Sequence, residues 1–224
     1  MISENLSRIK ENIKNVAFIS GRKEEDITLV AVTKTVGVEE CNTLLSLGHN
    51  VFGENRVQVL NEKYEAIGTK ADWHLIGHLQ TNKVKYIMDK VSLIHSVDSV
   101  HLAEEINRLA EKKESIKDIL LQVNVSGEES KFGMEPEDLF PTLDAVSKMN
   151  GVRVRGLMTI PPISPIKGAN RKYFSELYKL FEKLKNESGS NIFADYLSMG
   201  MSDDYEDAIL EGANIVRVGR ALYI

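Results

Sequence analysis

The chain has 224 residues, 42 % of them apolar and 27 % charged, with a formal net charge of −5. That balance fits one soluble domain with a sizeable core. It carries no basic stripe, which argues against nucleic acid as a partner, since neutralising phosphates takes clustered Lys and Arg.

Cys41 is the only cysteine, which excludes an internal disulfide and any CxxC metal or redox pair and suits a reducing cytoplasm. The first fourteen residues are charged throughout and read as no signal peptide, and no apolar run nears the ~18 residues of a membrane span.

Leu6, Ile9, Ile13, Val16 and Ala17 recur at helical spacing, so a helix is expected over 4–19. ITLVAVTK (27–34) reads as a buried first strand, with a helix over 38–47. A second strand over 49–55 precedes a helix over 56–66, and a third over 72–77 precedes a short helix over 81–88. The fourth strand is expected over 92–98, before a helix over 99–113 with Leu102, Ile106 and Leu109 on one face. The fifth spans 118–125, with a helix over 135–148, and the sixth 152–160, with a long helix over 168–187. The seventh spans 195–201, before a helix over 203–212 that ends at Gly212, and the eighth spans 214–222.

Strands separated by helices pair in parallel through right-handed crossovers. Eight such units closing on themselves make an α/β fold of the (β/α)8 TIM-barrel type, here with an extra N-terminal helix. An open doubly wound sheet would carry a Gly-rich GxGxxG loop after its first strand, and VTKTVGVEE has none. No linker or low-complexity tract interrupts the pattern, so 1–224 is expected to form a single domain.

Active sites of such barrels lie at the C-terminal ends of the strands. Lys34 ends the first strand and shares parity with Val30 and Val32, so if those point inward it points into the mouth. A desolvated lysine there is an amine nucleophile toward a carbonyl, whereas a solvated strand-end lysine is the simpler reading of the position alone. Ser198, Gly200, Met201 and Ser202 precede a helix, and Gly219 and Arg220 follow the eighth strand. Loops in those two places often bind phosphate through backbone N–H groups, while Ser-Asp-Asp over 202–204 also suits a plain helix cap. Arg217 alternates with Val216 and Val218. If it points inward it needs an acceptor, either a pyridine-type nitrogen or a carboxylate in a structural ion pair. Asn55 sits at the rim as a ligand contact or a cap. His74 reads as a satisfied interior histidine, and His78 as the better rim candidate. No HxH, HExxH or carboxylate cluster suggests a metal site.

VAVTKT (30–35), FGENRVQ (52–58), WHLIGHLQTNK (73–83), KFGM (131–134), RGLMTI (155–160), LSMGMSDDYEDAI (197–209) and VRVGRALY (216–223) together resemble the pyridoxal-phosphate homeostasis protein family, over the full length of the chain. That family's fold is similar to the N-terminal barrel of alanine racemase. The resemblance implies pyridoxal 5′-phosphate (PLP) held as a Schiff base on Lys34, with Arg217 facing the pyridine nitrogen. It places the phosphate at Ser202 and at the backbone of Gly219 and Arg220, with Asn55, His78 and Met201 lining the pocket. Position 220 departs from the family's usual Ser or Thr, and a guanidinium there also suits a phosphate.

The resemblance further implies a cytoplasmic, monomeric carrier in vitamin B6 homeostasis rather than an enzyme, with PLP-dependent apo-enzymes or B6 salvage enzymes as partners. The alternative is a PLP-dependent amino-acid racemase or decarboxylase. Three features disfavour it: the chain is expected to lack the C-terminal β-domain of racemases, an arginine at the pyridine nitrogen weakens the electron sink, and no second acid or base stands out. His78, Tyr196 and Tyr205 are the residues that remain for that role.

Overall fold

A computed structural model describes residues 1–187 and 189–224. Eight strands alternate with helices and close into a parallel barrel in the order β1 to β8. They are β1 (Thr28–Val32), β2 (Val51–Glu54), β3 (Asp72–Leu75), β4 (Leu93–Val97), β5 (Lys117–Gln122), β6 (Val152–Met158), β7 (Ile192–Ser198) and β8 (Ile215–Val218). The helices are α1 (Ile2–Ile19), α2 (Val38–Ser46), α3 (Val57–Ile67), α4 (Val100–Lys112), α5 (Leu139–Val146), α6 (Arg171–Leu184), α7 (Tyr205–Leu210) and α8 (Arg220–Tyr223).

Period-2 alternation sorts the strand side chains into two layers. Val30, Leu93, Leu120, Met158 and Ile215 form a small apolar cluster inside the barrel. Ala31, Phe52, Trp73, Leu75, Ile94 and Val97 belong to the larger cluster between the strands and the surrounding helices. In α4, Leu102, Ala103, Ile106, Leu109 and Ala110 make the buried stripe, and the Ser99 hydroxyl caps its start by accepting from Leu102 N–H.

Closure occurs where β1 pairs β8, with Val30 opposite Arg217 and Ala31 opposite Val218. The N-terminal helix sits over this seam. Asn5 Nδ2 donates to the Leu222 carbonyl at 3.2 Å, and Asn12 Nδ2 donates to the Tyr205 hydroxyl at 3.0 Å.

Several expected elements differ, and the seventh strand runs over Ile192–Ser198 rather than 195–201. The eighth strand stops at Val218, which pairs Ala31 of β1, and residues from Arg220 turn into a helix rather than continuing the strand. The helix expected over 81–88 is a 3-10 helix, Thr81–Tyr86. The helix expected over 135–148 divides into a 3-10 turn (Pro136–Asp138) and α5.

Candidate functional site

The site is built at the C-terminal ends of β1, β7 and β8. Val30 points into the barrel, and Lys34, just past β1, is exposed at the mouth. The peptide before it is anchored from behind. Lys63 Nζ donates to the Thr33 carbonyl, and the Thr33 hydroxyl donates to the buried Glu54 carboxylate, each at 2.5 Å. Gly219 presses against β1 from the other side, where a Cβ would lie 3.2 Å from Val32 Cβ.

Ser202 is not the helix cap. Asp204 holds that position, and its carboxylate accepts from Met201 N–H at 2.7 Å and from Asn170 Nδ2 at 2.7 Å. The Ser202 hydroxyl instead accepts the backbone N–H groups of Gly219 at 3.2 Å and Ala221 at 3.3 Å. Both main-chain donors are thus engaged by the Ser202 oxygen, and converging amides of this kind are the sort of cradle that binds anions. Gly200 makes the approach to this loop possible, because at φ +93 a Cβ would come within 2.5 Å of Ala208 Cβ.

The acidic residues beside this cradle face elsewhere. Asp203 pairs with the Arg220 guanidinium, so that side chain serves Asp203, and the Arg220 contribution available to the cradle is its backbone. Asp207 accepts from Gly168 N–H at 3.1 Å. A cavity of about 480 Å³ opens between 163–170 and 202–207, lined by Asp203, Asp204, Glu206 and Asp207 against Lys167. Four carboxylates to one ammonium make it a poor home for an anion.

Arg217 points inward and is 2 % exposed. No carboxylate is paired with it among the described residues, which corrects the structural ion-pair reading. Its Nη1 donates to Ser198 Oγ at 2.5 Å and its Nη2 to the Thr159 carbonyl at 2.8 Å. A guanidinium has five N–H donors, so three carry no hydrogen bond among the described residues. Burial pushes its pKa down to about 10, opposed by Asp204, and it remains a cation at neutral pH.

His74 is interior and satisfied, with His95 Nε2 3.0 Å from its Nδ1. His95 and Ser198 complete the buried polar set, and neither was legible as a partner. The available signal was parity, since His95 lies two residues from the inward Leu93 and so shares its face.

His78 lies on the opposite arc of the rim. It stacks on Phe132 at 4.1 Å between centroids, and its Nδ1 is 3.4 Å from Asp98. Asn55 is half-buried and caps no helix, the N-cap of α3 being Arg56. Its backbone lies so close to Gly77 that a Cβ there would fall 2.3 Å from Asn55 O. Met201 is half-buried beside Ser202. Tyr196 and Tyr205 lie away from the mouth. The Tyr196 hydroxyl is 3.5 Å from Arg155 Nη2, and the Tyr205 hydroxyl is bonded to Asn12 between α1 and α7. No group of three His, Cys, Asp or Glu able to hold a metal ion occurs among the described residues.

The family model described as alanine racemase, N-terminal domain, matches residues 5–224. A relative from Aquifex aeolicus, named pyridoxal phosphate homeostasis protein, is 46 % identical over 98 % of this chain and 96 % of its own. Among solved structures, PipY of Synechococcus elongatus with PLP bound is 30 % identical, with a TM-score of 0.87 and full coverage of both chains. An alanine racemase of Clostridium difficile superposes with a TM-score of 0.79 at 19 % identity, covering 99 % of this chain and 56 % of that one, a likeness of fold.

Proposed function

The chain belongs to the pyridoxal phosphate homeostasis protein family, and from that membership we propose that it binds pyridoxal 5′-phosphate at the β1–β7–β8 mouth and carries it within the vitamin B6 economy of the cell. The observation that carries this reading is the convergence of three chemistries on one seam. Lys34 offers an exposed amine, Ser202 with the Gly219 and Ala221 amides offers an anion cradle, and Arg217 offers free donors between them. These match the cofactor's aldehyde, phosphate and ring nitrogen. When bound, the cofactor would supply an electrophilic carbonyl, and the Lys34 amine would be the nucleophile that meets it.

This chain's residues then do the holding. The cradle fixes the phosphate, and Arg217, as a permanent donor, leaves the ring nitrogen unprotonated. Asn55 and Met201 line the near wall and His78 the far rim. We assign the protein as a monomeric, cytoplasmic carrier without efficient turnover, delivering to apo-enzymes or salvage enzymes that need the cofactor. No helix among the described residues is long and apolar enough to cross a membrane.

The test is borohydride reduction of the protein loaded with the cofactor. Wild type should show a near-visible absorbance band and retain one cofactor covalently after reduction. Lys34→Ala should retain none while melting as wild type does, since an exposed rim side chain adds little to the core. A covalent adduct of wild-type amount in Lys34→Ala would move the site to another lysine.

A further inference from the structure

A barrel of this type carries a helix after every strand, yet α8 spans only four residues. The N-terminal helix stands beside it in the outer ring. Leu6, Ile9, Ile13, Val16 and Ala17 of α1 are buried, and α1 packs against α7, α8 and α2. Apolar burial is non-directional, so it holds a helix on a barrel without fixing its position along the surface. Three polar grips supply that position, and all three close on the segment that carries the phosphate cradle.

The first grip is at the start of α7. Asn12 Nδ2 donates to the Tyr205 hydroxyl at 3.0 Å and to the Glu206 carboxylate at 3.3 Å. A carboxylate only accepts, so the Glu206 contact sets the Asn12 amide with its nitrogen toward α7. The second grip is at the other end of that helix. Arg22, in the turn after α1, donates to the carbonyls of Ile209, of Gly212 at 3.3 Å and of Ala213 at 2.7 Å. The third is on α8. The buried Asn5 donates from Nδ2 to the Leu222 carbonyl at 3.2 Å and the Ile224 carbonyl at 3.4 Å, while its Oδ1 accepts from Arg8 Nη2 at 3.0 Å.

The parts of the cradle lie between these grips. Ser202 precedes α7, and Gly219 and Ala221 open α8. A shift of Tyr205 would pass to Ser202 through packed backbone. Gly200 backs onto Tyr205 so closely that a Cβ would lie 2.9 Å from Tyr205 Cα, and Tyr205 N–H donates to the Met201 carbonyl at 2.9 Å. The direct ties between the two segments are one register pair of β7 with β8, Ser198 opposite Ile215, the main-chain bonds flanking it, the Ser202 contacts and the exposed Asp203–Arg220 pair. Helices of six and four residues add no stability of their own.

We infer that Asn5, Asn12 and Arg22 are positioning residues for the cradle, with α1 as a brace that holds α7 against α8 and so keeps Ser202 and the Gly219 and Ala221 amides at one spacing. The brace stands on these contacts alone. Its bearing on a cofactor phosphate rests on the site proposed above.

Asn12→Ala and Tyr205→Phe remove one contact from its two sides. Each should raise the PLP dissociation constant roughly fivefold, the scale of one hydrogen bond. The double variant should do no more than Asn12→Ala. None should change binding of pyridoxal, which has the aldehyde and the ring but no phosphate. Asn107→Ala is the control, since it removes the 2.6 Å bond from Gly151 N–H to Asn107 Oδ1 at the opposite end of the barrel. It should lower the melting temperature and leave the ratio of PLP to pyridoxal affinity as in wild type. In protein free of PLP, amide hydrogen exchange at Gly219 and Ala221 should quicken about fivefold in Asn12→Ala and Tyr205→Phe but not in Asn107→Ala. Unchanged exchange in the first two overturns the brace. Faster exchange with unchanged PLP binding, additive losses in the double variant, or PLP and pyridoxal weakened alike overturn the positioning role. A wild type that binds no PLP, with exchange behaving as expected, overturns the proposed function and leaves the brace standing.

Discussion

Lys63 Nζ stands 2.5 Å from both the Glu54 carboxylate and the carbonyl of Thr33, so one ammonium from α3 ties the ends of β1 and β2 together directly behind Lys34. All three residues are buried, and the second Glu54 oxygen has no partner among the described residues. Lys63→Met should therefore leave a buried carboxylate without a countercharge and cost about 3–5 kcal/mol, read from urea denaturation. The double change Lys63→Met with Glu54→Gln should recover much of that loss. A single variant within 1 kcal/mol of wild type, on the same order as ordinary surface changes, would show that the pair does not hold the strand ends.

Ser202→Ala should weaken PLP binding by about 1.5–3 kcal/mol, the range for a hydrogen bond to a charged group. The fold should be retained, because Ser202 caps no helix and is half-buried. Equilibrium titration followed by near-visible absorbance measures the change. An affinity equal to wild type would confine Ser202 to orienting the loop.

His49 is buried, its Nε2 3.2 Å from the Val51 carbonyl, and burial first, then Lys10, push its pKa down to about 4. The unfolded chain binds this proton near pH 6.5 and the folded one only near 4, so stability present above pH 6.5 is lost as pH falls through that window. The shift corresponds to about 3 kcal/mol. Between pH 7 and 4, wild type should lose about that much more stability than His49→Gln. His95 acts in the same direction in both proteins and cancels in the comparison. Parallel pH profiles would show that His49 does not titrate this way.

With single L-amino acids, the PLP-loaded protein should show spectral shifts but no turnover near ~1–10³ per second. Efficient turnover needs a positioned acid or base, worth ~10²–10⁴-fold. Of the three residues considered for it, Tyr196 and Tyr205 lie away from the mouth, and His78 is stacked on Phe132 beside Asp98. Chiral chromatography and carbon dioxide detection decide the matter. An ordinary turnover number on any amino acid would promote the racemase or decarboxylase reading.

Most of the eight strands were legible because they carry a buried apolar run bounded by a helix of different period, whereas β7 is buried only at Leu197 and Ser198. The eighth was read too long. IVRVGRAL is apolar enough to continue as a strand, but its pairing with β1 ends at Val218, and the chain turns at Gly219. Arg217 was legible as an alternating residue, yet its partners were not. Ser198 reaches it from β7 and the Thr159 carbonyl from just after β6, with His95 of β4 behind Ser198, and which residues meet inside a barrel depends on tilt and stagger, to which local spacing is blind. The acidic run after Ser202 read as a plain helix cap. Its side chains turn out to serve Arg220, Asn170 and Gly168.

The seam between β1 and β8 has a bearing on synthesis. Val30 faces Arg217 across it, so the amine at residue 34 and the guanidinium at 217 come from opposite ends of translation. Contacts this distant in sequence form late, after the loop between them has closed. A nascent chain on the ribosome therefore presents Lys34 long before Arg217, Gly219 and Ala221 are made. On the site proposed above, a truncated product lacking the last strand would keep the amine and lose the groups proposed to retain PLP.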